Sequence, residues 1–96
     1  MVGRCFLKQD HQGPARGEAH PGVVAAALTE AMGLACGQAA VVQAVSVELS
    51  GPARVGTFLA IEARVEGQDG LIARMTATAS TDDQRPVAHA RAKFRA

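Results

Sequence analysis

Glu30 is the only charged side chain in PGVVAAALTEAMGLAC, residues 21–36, with Thr29 directly before it and His20 just ahead of the segment. A carboxylate taken out of water without a partner is costly. In such surroundings a Glu is expected to be paired, hydrogen-bonded, protonated, or set where a substrate will meet it. Thr29 can donate a hydrogen bond or position a water molecule, but a hydroxyl is no unassisted general base at neutral pH. His20, Thr29 and Glu30 are therefore the side chains to weigh for chemistry. Each also has a structural alternative: His20 as the residue that fixes the loop before a helix, Thr29 bonded to the carbonyl four residues back, and Glu30 satisfied by backbone amides or an arginine.

Other chemistries find little support. The two cysteines, Cys5 and Cys36, form no C-x-x-C pair and no ligand-spaced set, which predicts reduced thiols, no metal site and a cytoplasmic setting. A formal charge of +1 with 20% charged residues gives no pull toward nucleic acid or membrane, and three Phe without Trp or Tyr offer no stacking platform for single strands. No phosphate-binding loop and no Ser-His-Asp order is present. His11, in DHQG, reads as a surface loop residue, and His89 as solvent-facing.

The 96 residues suit one domain, spanning 1–96, whose limited burial would favour self-association. The N-terminal segment has no apolar run of secretory length, and the alanine-rich helix is shorter than the roughly 20 residues of a membrane span. Residues 2–9 read as a strand and 10–22 as a loop rich in Gly, Pro and His. Residues 21–36 read as a helix, with Pro21 at its first position and Gly37 ending it. Because apolar residues lie all round this helix, it is expected to be enclosed. Beyond it the pattern alternates with period two. Val45, Val47 and Leu49 share one face in 40–50, before a turn at 51–56. Leu59, Ile61, Ala63 and Val65 do so in 57–66, before a hairpin at 68–70. Leu71, Ala73, Met75, Ala77 and Ala79 follow, then a turn at 82–86, and finally Ala88, Ala90, Ala92 and Phe94. This predicts an α+β fold in which a strand, a helix and a four-strand meander make one curved antiparallel sheet. Ala25, Ala26, Ala27, Ala31 and Ala35 are expected to let the sheet close around the helix.

The string HPGVVAAALTEAMG, the DHQG loop, the V-x-V-x-L strand running into GPARVG, the L-x-I-E-A-R-V strand and the closing A-x-A-x-x-F resemble the hotdog-fold thioesterase superfamily. The likeness is to its small phenylacetate-pathway-like acyl-CoA thioesterases and extends over essentially the whole chain. It implies a central helix wrapped by a five-stranded antiparallel sheet, and hydrolysis of an acyl-CoA thioester at a site shared by two subunits of a homodimer. It also implies no metal or bound cofactor, and a dimer that can pair again into a tetramer. By the same resemblance a backbone N–H at the helix start polarises the thioester carbonyl, and a helix carboxylate activates water or attacks directly.

Carried across, His20 matches the motif His and Gly22 the second motif Gly. Pro21 stands at the first Gly, where it supplies no N–H, and Thr29 stands nine residues after His20 at the usual carboxylate position. The candidate catalytic set is thus Glu30, Thr29, His20 and Gly22. Arg54, Arg64 and Arg85 are candidate contacts for the CoA phosphates, and the Arg91, Lys93, Arg95 series is a further cationic face. Two alternatives stand beside hydrolysis: a non-catalytic module that binds an acyl-CoA, and a dimer with only a structural role.

Overall fold

The computed structural model describes residues 1–37 and 40–95. Five strands and one long helix follow in the order β1 (Val2–Phe6), α1 (Pro21–Cys36), β2 (Val41–Leu49), β3 (Phe58–Asp69), β4 (Ile72–Ser80) and β5 (Pro86–Arg95), with a short 3₁₀ turn at Gln9–His11. The first strand is shorter than the sequence predicts, and the helix has the predicted limits. All pairings are antiparallel, in the spatial order β1-β3-β4-β5-β2. The meander therefore comprises three strands, not four. β2 does not pair with β3 across the GPARVG turn but lies at the far edge beside β5, leaving β3 free to take β1 on its other side. The result is an open five-stranded sheet with one helix packed on one of its faces, as the resemblance implies.

α1 is not enclosed on all sides. Val24, Leu28 and Met32 recur every four residues and form the buried stripe, while Ala26, Glu30 and Leu34 are exposed on the opposite face. The expected roles of the small residues are reversed as well. On the helix, Ala27, Ala31 and Ala35 only flank the stripe, and the tight approach comes from Ala63, Ala73, Ala77, Ala79, Ala88, Ala90 and Ala92 on the sheet. Alternation at β3, β4 and β5 delivers those alanines to one face, and Leu28 and Met32, both 0% exposed, fill the space above them.

β2 departs from the predicted burial. Val45, Val47 and Leu49 stand directly opposite the buried Ala92, Ala90 and Ala88 and so share their face, yet Val45 is 46% and Leu49 51% exposed. The strand extends past the edge of α1, so half of its apolar face has no cover within this chain. Two other apolar residues expected on buried faces, Val65 and Leu71, are also exposed, because the β3–β4 hairpin runs beyond the helix.

Candidate functional site

The loop before α1 is fastened to the loop between β2 and β3. Leu7 N–H donates to Thr57 O, Gly56 N–H to Leu7 O, Ala19 N–H to Ala53 O and Val55 N–H to Gly17 O, at 2.6–3.0 Å. His20 N–H donates to His11 O at 2.8 Å, and the His11 Nδ1 accepts from Lys8 N–H at 3.0 Å. Gly13 must lack a side chain here, since a Cβ would stand 2.7 Å from the His20 Cα. The two loops together fix where the helix begins.

His20 is the N-cap of α1. Its Nδ1 accepts the Gly22 N–H at 2.9 Å, and its carbonyl accepts from Val23 N–H. With proline as the first helical residue, the amide available for an oxygen of a ligand is that of Gly22, and the chain's own imidazole occupies it. An imidazole nitrogen that accepts carries no proton, so this geometry corresponds to the Nε2–H form of His20.

Thr29 and Glu30 face different neighbours. Thr29 is half-buried and donates its hydroxyl to Ala25 O at 2.8 Å. It shares a flank with Gly22, Ala25 and Gly33, and Gly33 adjoins the Phe94 ring, whose ladder partner is Val42 of β2. This flank therefore looks toward the β2 edge. Glu30 lies about 100° further round. With Ala27, Ala31 and Leu34 it lines a groove of about 250 Å³ against Gly3, Arg4 and Cys5 of β1. It is exposed, and among the described residues it has neither an ion-pair nor a hydrogen-bond partner. The expected enclosed carboxylate is thus a surface carboxylate, because the helix face that carries it points away from the sheet.

A cleft of about 340 Å³ opens at the helix start, bounded by Glu18, Pro21 and Val24 and by Leu49, Ser50, Gly51, Pro52 and Ala53. Ser50, Gly51 and Pro52 also line a second cavity, of about 490 Å³, which contains Arg54, Arg85 and the Phe58 ring. Two of the three arginines expected to contact phosphates are therefore brought together next to the helix start. Arg85 is held by Asp83 at 3.1 Å, and the Thr81 hydroxyl with Arg85 keeps the Asp83 carboxyl below its ordinary range. Arg54 has no carboxylate partner among the described residues.

Arg64 does not join them. It lies on the outer face of the sheet, bonded to Glu66 at 3.0 Å. The Thr76 hydroxyl, more than Arg64, holds the Glu66 carboxyl below its ordinary value. Sequence reasoning missed Leu49, Ser50, Pro52 and Phe58 as walls of the cleft and cavity. Their signal was the GPARVG turn, which was legible as a turn but not as a neighbour of His20. Among the described residues no three or more His, Cys, Asp or Glu are grouped to hold a metal ion, both cysteines are free, and no helix is long and apolar enough to cross a membrane.

No protein-family model and no curated protein matches the sequence. Solved structures match the fold throughout. A crystal structure of a thioesterase superfamily protein superposes with a TM-score of 0.90 at 23% identity, covering 99% of this chain and 48% of that one. The E. coli PaaI protein from the phenylacetic acid degradation operon gives 0.90 at 23%, covering 98% and 70%. A Bacillus halodurans protein crystallised with CoA gives 0.86 at 24%, covering 96% and 68%. The chain thus spans about half the length of the first of these and about two-thirds of the others. At such identities the likeness establishes the fold alone, the one these structures share.

Proposed function

We propose that this chain acts on acyl-CoA thioesters as a thioesterase, working as a homodimer in the cytoplasm. The observation that carries this reading is the cleft beside the first turn of α1, lined by Pro21 and Val24 though not by His20, Gly22 or Thr29, which shares Ser50, Gly51 and Pro52 as a wall with the cavity that holds Arg54 and Arg85. A thioester carbonyl can meet the first turn of α1 while the phosphates of the same molecule meet two guanidinium groups. The fold shared with a protein crystallised with CoA and with another bound to acetyl CoA is in keeping with this.

In the reaction a water oxygen bonds to the thioester carbon, the C–S bond breaks and the thiolate takes up a proton. Gly22 N–H, released from His20 Nδ1, polarises the carbonyl. The Thr29 hydroxyl, on the same flank and about 10 Å along the helix, is too far to hold that water; it meets the acyl end or, in a dimer, a carbonyl bound at the other helix start. Near the helix start His20 and Glu18, the latter lining the cleft, are the side chains that can accept a proton from water. Glu30 faces β1 and is assigned a role outside this flank.

The second reading is a module that binds an acyl-CoA without hydrolysing it. It is favoured by one observation: the helix flank shared by Gly22 and Thr29 carries no carboxylate. Without a positioned base, hydrolysis is expected to run about 100- to 10,000-fold slower than with one.

Short-chain, aryl and long-chain acyl-CoAs incubated with the protein and a thiol-trapping dye separate the two. Slow CoA release that depends on the protein supports hydrolysis. Thermal stabilisation by one thioester without release selects the binding module, and neither response overturns both readings.

A further inference from the structure

The face of the sheet turned away from α1 concentrates cations that no feature of the proposed thioester site uses. Two rows cross it. Arg64, Thr76, Arg91 and Ser46 stand side by side on β3, β4, β5 and β2, and in the next row Gly67, Arg74, Lys93 and Ala44 do the same. Like charges directly opposite each other on paired strands are destabilising, so Arg74 against Lys93, with Arg91 two residues along the same strand, is a placement the sheet alone disfavours. Glu66 answers Arg64, and Asp69 lies 3.4 Å from Arg74. Among the described residues no carboxylate is within ion-pair distance of Arg91 or Lys93.

The surface is also shaped. A bulge between Val65 and Gly67 brings Gly67 under the Arg74 guanidinium, which a methyl group at position 67 would overlap. Ala44 ends the row at the other side. The small residues at both ends leave the three cations in a groove of about 560 Å³, within the range of small-ligand sites, whose lining also includes Glu66, a carboxylate already engaged by Arg64 and Thr76.

We propose that this outer groove binds a soluble polyphosphate, such as the phosphate chain of a nucleotide, between Arg74, Arg91 and Lys93, with the Ser46 hydroxyl beside it. Charge complementarity selects the class. Three cations on adjacent positions of two strands meet a compact anion with several charges, and guanidinium groups pair with phosphate oxygens through two parallel hydrogen bonds. The site lies on the opposite face of the sheet from α1, so it stands whether or not the thioester reading does.

Isothermal titration calorimetry with ATP and with inorganic pyrophosphate tests it, with phosphatidylserine vesicles as a separate arm. Saturable binding of ATP that weakens with added salt is expected. It should fall by at least about tenfold in an R91A/K93A double variant. Gly67→Ala, which displaces the Arg74 guanidinium and removes no charge, should weaken binding too, while Arg16→Ala, on the exposed loop before α1, should leave it unchanged. Absence of heat with ATP at millimolar concentration overturns the proposal. So does equal affinity in the correctly folded double variant, loss on Arg16→Ala, or binding to vesicles alone.

Discussion

At the scale of single residues, what distinguishes this helix start is how few groups are free to react. Pro21 supplies no amide hydrogen, the Gly22 amide is capped by His20, and the Thr29 hydroxyl is turned to the Ala25 carbonyl. Each of these satisfies the chain's own backbone in a way that a substrate or water must displace. Restoring a carboxylate to the flank that holds Gly22 should therefore matter far more than removing Glu30. We expect Thr29→Asp to raise CoA release by about 100-fold, the lower end of what a positioned general base supplies, as measured by thiol trapping. Glu30→Gln should leave the rate unchanged, because its side chain opens on the groove beside β1. A large loss on Glu30→Gln would instead assign that groove to the chemistry.

At the scale of elements, α1 is held by a buried stripe of three side chains, with Val23, Ala27, Ala31, Ala35 and Cys36 packed beside it against the core. Its opposite face is open, its first turn is capped by one imidazole, and its last turn carries no basic residue. Leu28 has the greatest consequence there, being fully buried between the helix and the sheet. Leu28→Ala should cost about 2–5 kcal/mol in urea unfolding, because its side chain is fully buried in the core and its loss leaves a cavity. A cost below about 1 kcal/mol would mean that the helix is held in some other way. The loop pairing of Ala19 with Ala53 ties the start of the same helix to the β2–β3 turn, so the cleft inherits its shape from two segments 34 positions apart in the chain.

For the whole molecule, the unpaired edge and the uncovered apolar face of β2 coincide. An edge strand of nine residues with its hydrogen-bonding groups free and Val45 and Leu49 exposed invites pairing with another chain. Two copies meeting along β2 would extend the sheet and bring a second helix toward the flank that carries Gly22 and Thr29, which is how a site comes to be shared between subunits. Sedimentation velocity should find a dimer for the unaltered protein, and Val45→Asp should shift it toward the monomer with the far-ultraviolet circular dichroism retained. A monomeric unaltered protein would remove the shared site from the proposal.

Much of this was decided by the order of residues alone. Proline at the first helical position and glycine after the last fix the limits of α1, since backbone sterics act locally. Alternation in β3, β4 and β5 sorts alanines to one face whatever the surroundings, and the string from His20 to Gly33 is enough to suggest the hotdog fold. The tertiary structure decided what depends on distant partners: that β2 pairs with β5 and not β3, and that Glu30 is turned outward. It also decided that Arg54 joins Arg85 while Arg64 lies across the sheet, and that His20 fills the amide of Gly22. Sequence period gives an angle about a helix or a side of a strand, but the neighbour found there depends on how the chain returns. That return is set by the burial of Leu28, Met32 and their alanine floor as a whole.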